Sequence, residues 1–211
     1  MYVKNRMTAN PFIVTPEATV AETLELMRSK KIRRVPVVKN GKLAGIISER
    51  QLLEVSPSPA TSLSIFEINY LLSKTKIDSI MTKDVITVSP DSLLEEAALK
   101  MREHNVGGLP VVENGKVIGI ITETDIFDSF VEILGFKDTN SSRIAIEIED
   151  DRPGVLAQVA GIIAGYGVNI THLVIFRNEL IVRVNTQNTH DIIKGLEGNG
   201  FRIISVTNNE F

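Results

Sequence analysis

The sequence predicts an α+β fold in which a duplicated unit precedes a ferredoxin-like βαββαβ unit. Three observations carry that prediction: a gapless internal repeat, an Asn-Gly turn at the same place in both copies, and a change of hydrophobic period after residue 142. Residues 7–51 lie on 81–125 at a constant offset of 74, with 17 identities in 45 positions. Met7-Thr8 falls on Met81-Thr82, Met27-Arg28 on Met101-Arg102, and Pro36-Val37-Val38 on Pro110-Val111-Val112.

Each copy predicts the same elements. Val20, Leu24 and Met27 in one, and Leu94, Ala98 and Met101 in the other, recur at helical spacing, the second helix introduced by Ser89-Pro90-Asp91. A short strand follows, Arg34 to Val38 or Leu109 to Glu113. Asn40-Gly41 and Asn114-Gly115 then predict two-residue hairpin turns, because both central positions need positive φ. Returning strands, Leu43 to Ile47 and Val117 to Ile121, lead into the stretches Ser48-Glu49-Arg50-Gln51 and Thr122-Glu123-Thr124-Asp125, with a helix beginning there. Ser56-Pro57-Ser58-Pro59 breaks structure between the copies, and Leu63 to Leu72 reads as a linker helix. The expected extents are 1–56 and 79–135 for the copies, 57–78 for the linker helix, 136–142 for a polar linker and 143–211 for the last unit.

In that last unit Ile144, Ile146 and Ile148 alternate with Ala145, Glu147 and Glu149, a half-buried strand. Asp151-Arg152-Pro153-Gly154 opens a helix to about Tyr166, with Asp151 as its N-cap and Pro153 near its first turn. Strands near 168–176 and 179–185, a helix over 189–198 and a strand over 201–206 complete the βαββαβ order.

Composition narrows the function. A net charge of −3 without a Lys/Arg run gives no footprint for nucleic acid. No cysteine is present, which removes disulfides, thiol nucleophiles and cysteine metal sites. Apolar runs fall short of the roughly 18 residues of a membrane span, and Met1 to Val14 has no signal-peptide core. A soluble cytoplasmic protein is expected. His104, His172 and His190 have no metal-ligand spacing, and no phosphate-loop, dinucleotide or nucleophile-elbow motif occurs. The chain is therefore expected to be neither an enzyme nor a metal protein. Glu147, Glu149, Asp150 and Asp151 read as the solvent face of a strand.

The sharpest chemical candidate is Thr122-x-x-Asp125 with its counterpart Ser48-x-x-Gln51. At a helix start both are capping boxes, a reading that asks for no ligand. A carboxylate also accepts from two hydroxyls at once, which an amide does less well.

The duplicated part, on its Met-Thr start, Pro-Val-Val strand, Asn-Gly turn and Gly-Ile-Ile-(Ser/Thr)-Glu stretch, resembles the CBS-pair (Bateman) module. Asp151 to Leu156 (Asp-Arg-Pro-Gly-Val-Leu) and Gly167-Val168-Asn169-Ile170 resemble an ACT domain. The stretches Ala60 to Ser64 and Glu67 to Ser73, with the domain order, are similar to AcuB-type acetoin-utilisation proteins. The resemblance implies an adenosine-type ligand (AMP, ADP, ATP or S-adenosylmethionine) whose ribose meets Asp125 near Thr122. Facing them from the other copy would be Phe12, Ile13, Arg33, Arg34, Val35 and Pro36, the arginines suited to phosphate. A weaker second cleft would hold Ser48, Gln51, Thr87, Gly107 and Gly108. ACT resemblance implies an amino-acid effector at Asp151, Gly154, Asn169 and Ile170 across a subunit interface. It further implies a homodimer, no cofactor, and a regulatory role in carbon catabolism through an unidentified protein partner. The alternative is an adaptor or dimerisation protein with no nucleotide.

Overall fold

In the computed structural model the described residues are 1–56, 64–148 and 153–209. Met1–Ile126 and Phe127–Phe211 form two units. The first contains β1 (Thr8–Ala9), α1 (Val20–Lys30), β2 (Arg34–Lys39), β3 (Lys42–Ser48), α2 (Glu49–Glu54), α3 (Ile65–Lys74), α4 (Leu94–Glu103), β4 (Gly108–Glu113) and β5 (Lys116–Thr122). It ends in α5 (Glu123–Ile133), within which the division between the units falls.

Thr19 starts α1 through a capping box: its hydroxyl accepts from the Glu22 N–H, and Glu22 accepts from the Thr19 N–H. The second copy has Leu93 at the corresponding N-cap, with no side-chain cap. Ser89-Pro90-Asp91 thus lies ahead of α4 rather than capping it. Helix α4 turns Leu94, Ala97 and Met101 inward; Ala98, expected inside, is only partly buried. The Asn-Gly turns form as expected, with φ 53° and 75° at Asn40-Gly41 and 50° and 78° at Asn114-Gly115. Each hairpin carries a register shift at the same site, between Val37 and Val38 and between Val111 and Val112. The duplication is therefore structural to the level of single bulges.

Each copy has its own core, and each core borrows from outside the repeated span. Val3, fully buried, packs with Leu94, Met101, Leu109 and Ile121 of the second copy, and β1 pairs with β5 (Thr8↔Ile120, Ala9↔Gly119). Reciprocally, Ile77 is fully buried with Met27, Val35 and Ile47 of the first copy, and Thr82 bridges Ile46. The N-terminal segment and the segment after α3 are exchanged between the copies. This exchange explains the glycine of Gly-Ile-Ile: a Cβ at Gly119 would meet the Met7 thioether, and one at Gly45 would meet that of Met81.

The second unit contains β6 (Ser142–Glu147), α6 (Val155–Gly165), β7 (Ile170–Phe176), β8 (Glu179–Val184), α7 (His190–Gly198) and β9 (Arg202–Asn208). The antiparallel order β7-β8-β6-β9 is the ferredoxin-like arrangement. Ile144, Ile146, Leu180, Val182 and Val184 pack against Val159 and Ile163 of α6 and Ile192 and Leu196 of α7. Helix α6 starts later than the sequence suggests: Gly154, at φ 98°, is its N-cap and makes no side-chain cap. Asp151, expected as the cap, lies outside the described residues, as do Glu149 and Asp150.

The polar stretch before β6 is tied down. Arg183, 5% exposed, donates from Nε to the Leu134 carbonyl at 3.1 Å and from Nη1 to Ser141 Oγ at 3.1 Å. Asn209 Nδ2 donates to the carbonyls of Phe136 and Asp138, and the His172 ring lies 3.4 Å from the Asp138 carboxylate.

Candidate functional site

At the end of β5 the backbone N–H and the hydroxyl of Thr122 both donate to Asp125 Oδ2, each at 2.7 Å. Both residues are half-buried. The Glu123 N–H donates to the Gly107 carbonyl at 3.3 Å, which ties the start of α5 to the residue preceding β4. The first copy repeats the geometry: the Ser48 N–H and hydroxyl donate to Gln51 Oε1 at 3.0 and 2.8 Å, and the Glu49 N–H donates to Arg33.

The copies part at the second atom of the cap. Gln51 Nε2 donates to Thr82 Oγ1 at 3.0 Å and to the Ile80 carbonyl at 3.5 Å. Both ends of the amide are engaged, one on the helix start and one on the exchanged segment. A carboxylate cannot make that donation. Gln51 is thus a brace between segments as well as a cap, a role the sequence reading did not find.

Arg34 crosses between the copies. Its guanidinium lies where a Cβ at Gly107 would be, with Glu123 Oε2 2.6 Å from that point. Nearer its backbone, Arg34 Cδ is 3.2 Å from where Gly108 would carry a Cβ, and Thr122 Cγ2 is 3.4 Å from the same point. The structure thereby brings together Arg34, Thr122 and Asp125, three of the residues expected at one cleft. It also places Gly107 and Gly108, expected at the second cleft, beneath the Arg34 side chain.

The remaining expected residues sit as follows. Val35 and Pro36 are buried, Val35 in the first core, so β2 offers its backbone there rather than those side chains. Phe12 and Ile13 are exposed beside β2, where the Val14 N–H donates to the Pro36 carbonyl; Lys30 Nζ lies 5.2 Å from the Phe12 ring centre. Arg33 is exposed. Thr87 is half-buried and its carbonyl accepts from Lys100 Nζ at 3.5 Å.

In the second unit the Asn169 N–H donates to Asn185 Oδ1 at 3.0 Å, fixing the entry to β7, where Ile170 pairs with Val184. Among the described residues nothing lies within 4 Å of where a Gly154 Cβ would be. A cavity of about 300 Å³ lies near that strand entry, lined by Lys137, Asp138, Thr139, Ser141, Thr171 and Asn185. Among the described residues no group of three His, Asp or Glu side chains is arranged to hold a metal, and no helix is long and apolar enough to cross a membrane.

Comparison with known proteins agrees with these features. The CBS domain model matches residues 3–58 and 77–132, and the ACT domain model matches 142–197. A CBS domain-containing protein of Dictyostelium discoideum is 35% identical over 134 residues, 63% of this chain and 92% of that protein. A homoserine O-acetyltransferase of Methanococcus vannielii is 42% identical over 126 residues, but this 59% of the chain corresponds to only 24% of the enzyme. Among solved structures, a Vibrio cholerae protein designated an acetoin utilization protein (AcuB) is 32% identical, with a TM-score of 0.54 over 65% of this chain and 96% of that one. CBSX2 in complex with AMP is 30% identical, with a TM-score of 0.52 over 63% and 97% of the two chains. The CBS pair of MJ0100 in complex with 5′-methylthioadenosine and S-adenosylmethionine is 28% identical, also with a TM-score of 0.52 over 63% and 97%. The duplication, the exchanged segments and the βαββαβ unit thus have their explanation: this chain belongs to the CBS-domain family, a CBS pair followed by an ACT domain.

Proposed function

We propose that the chain is a non-catalytic regulator whose CBS pair binds an adenosine-type ligand, its ribose hydroxyls accepted by Asp125. The observation that carries this reading is the cluster at the start of α5. There Thr122 fixes the Asp125 carboxylate through two 2.7 Å hydrogen bonds, and Arg34 arrives from the other copy. A carboxylate oriented in advance loses little freedom on accepting two hydroxyls, which favours binding. The ligands of CBSX2 and MJ0100 support the class, and the Gln51 brace argues for one competent cleft of two. The enzymes among the relatives correspond to this chain over only about a quarter of their length, which supports a regulatory segment rather than a shared reaction.

In this proposal the ACT domain transmits ligand state to subunit assembly or senses an amino acid near Gly154, Asn169 and Ile170. The chain works as a cytoplasmic homodimer on an unidentified protein partner, and likeness to AcuB supports acetoin-type carbon catabolism as the process. Ligand can bias such a system only through unequal affinity for its two states.

Calorimetry with AMP on wild type and Asp125→Ala tests the site. The substitution is expected to weaken binding at least tenfold, about 1.4 kcal/mol. Equal affinity would remove Asp125 from the site. A wild type that binds neither AMP, ADP, ATP nor S-adenosylmethionine would leave Thr122 and Asp125 as a helix cap in an adaptor protein.

A further inference from the structure

Arg33-Arg34 and Gly107-Gly108 are the same two positions of the repeat, 74 residues apart. In the fold they meet: the Arg34 side chain lies over both glycines, and its guanidinium fills the space that a Cβ at Gly107 would need. Gly107 has no positive φ, so its backbone would tolerate another residue; what a Cβ there would displace is the ends of the Arg34 and Glu123 side chains. Glu123 Oε2 is 2.6 Å from the same point. The two charged ends are therefore within about 5 Å of each other, near enough to interact across a partly screened surface. Yet among the described residues neither Arg34 nor Glu123 closes an ion pair.

We infer that the Gly107-Gly108 notch is the seat of Arg34 and that Glu123 is a specificity-determining residue of the cleft. The inference rests on the adenosine reading above and deepens it by naming a ligand class. The seated guanidinium attracts a phosphate group at the mouth of the site, while the Glu123 carboxylate repels it. The balance between them decides how strongly a phosphate-bearing adenosine is preferred over an uncharged one. The second copy supplies no arginine at the equivalent position, so this selection belongs to one cleft only.

The test is calorimetry with AMP and with 5′-methylthioadenosine, which has the nucleoside without phosphate, on wild type, Gly107→Ala and Glu123→Gln. Wild type is expected to prefer AMP. Glu123→Gln removes a nearby negative charge and is expected to tighten AMP by roughly threefold while leaving 5′-methylthioadenosine unchanged. Gly107→Ala displaces the flexible ends of both Arg34 and Glu123. The guanidinium is the group that contacts phosphate, so losing its seat is expected to outweigh the displaced carboxylate and weaken AMP by about tenfold, again sparing the uncharged ligand. Equal effects on both ligands, or none on either, would overturn the inference. A ligand-free measurement separates the seat from the binding site. The Arg34 Nε–Hε NMR signal is expected to shift in both variants, and an unmoved signal overturns the seat even where AMP binds. If neither ligand binds wild type, the adenosine reading falls and the selectivity with it, whatever the NMR signal does.

Discussion

At the scale of single residues, two side chains hold more than their sequence positions suggest. Gln51 occupies the place of Asp125 and caps its helix through a full capping box with Ser48, but its amide nitrogen also reaches Thr82 and the Ile80 carbonyl. Gln51→Glu keeps an acceptor for Ser48 but removes the donor to the Ile80 carbonyl, and the Thr82 hydroxyl stays bonded only by turning to donate. That change is expected to cost about 1–2 kcal/mol in a urea melt, the price of unmade hydrogen bonds; an unchanged midpoint would remove the brace. Arg183 was not singled out by the sequence, where it is simply a charged residue inside the strand expected near 179–185. In the fold it is buried, its guanidinium pKa lowered by desolvation, and it holds the Leu134 carbonyl and Ser141 Oγ. Arg183→Met keeps the bulk and removes those donors, so about 1–3 kcal/mol of destabilisation is expected by chemical denaturation. Equal stability would mean that solvent satisfies both acceptors without it.

At the scale of elements, periodicity and turn chemistry made most of the framework legible. The Asn-Gly dipeptides required positive φ at two successive residues, and the isoleucines from Ile144 to Ile148 line the core as their alternation suggests, although Ala145, expected on the solvent face, is buried as well. Segment exchange was not legible, because β1 is two residues long and Val3 is a single apolar residue, too little for any period to register. The signal that pointed to it was Gly119 in an apolar strand, where glycine marks the close approach of another group. That group is Met7, which the repeat had already aligned with Met81 over Gly45. Gly119→Ala forces the Met7 thioether out of contact and is expected to cost about 1–3 kcal/mol through overpacking. Gly119→Ala combined with Met7→Ala is expected to recover part of that loss in the same melt. Strictly additive losses would mean that the two residues do not share the space.

At the scale of the whole molecule, the candidate site was legible as far as one chain can announce its own asymmetry. Asp125 against Gln51 and Arg33-Arg34 against Gly107-Gly108 are visible in the aligned copies; that Arg34 rests on those same glycines is a fact of three dimensions. The distribution of carboxylates gives the molecule a further property. Glu22, Glu67 and Glu96 all have pKa values below the ordinary 4.5: hydrogen bonds from the Thr19 backbone and hydroxyl lower the first, the Ser64 hydroxyl and backbone the second, and the Ser92 hydroxyl and Lys100 the third. All three lie in Met1–Ile126. Because the folded values are depressed, their stabilisation is complete above the unfolded value near 4.5 and is lost as pH falls through the lower folded values. The Ser48–Gln51 box holds no titrating group and is indifferent to that change. Acid is therefore expected to loosen the starts of α1, α3 and α4 and to leave that of α2 unaffected. Hydrogen exchange of the first-turn amides, followed from pH 5 to pH 3 with correction for intrinsic rates, measures each helix separately. Protection at Glu22 and Glu67 should fall while that at Gln51 holds. Replacing Glu22 by Gln, which keeps the acceptor without the proton equilibrium, should make the start of α1 behave like that of α2. If the Glu22→Gln chain lost protection over the same range as wild type, the capping carboxylates would not be the source of the acid sensitivity.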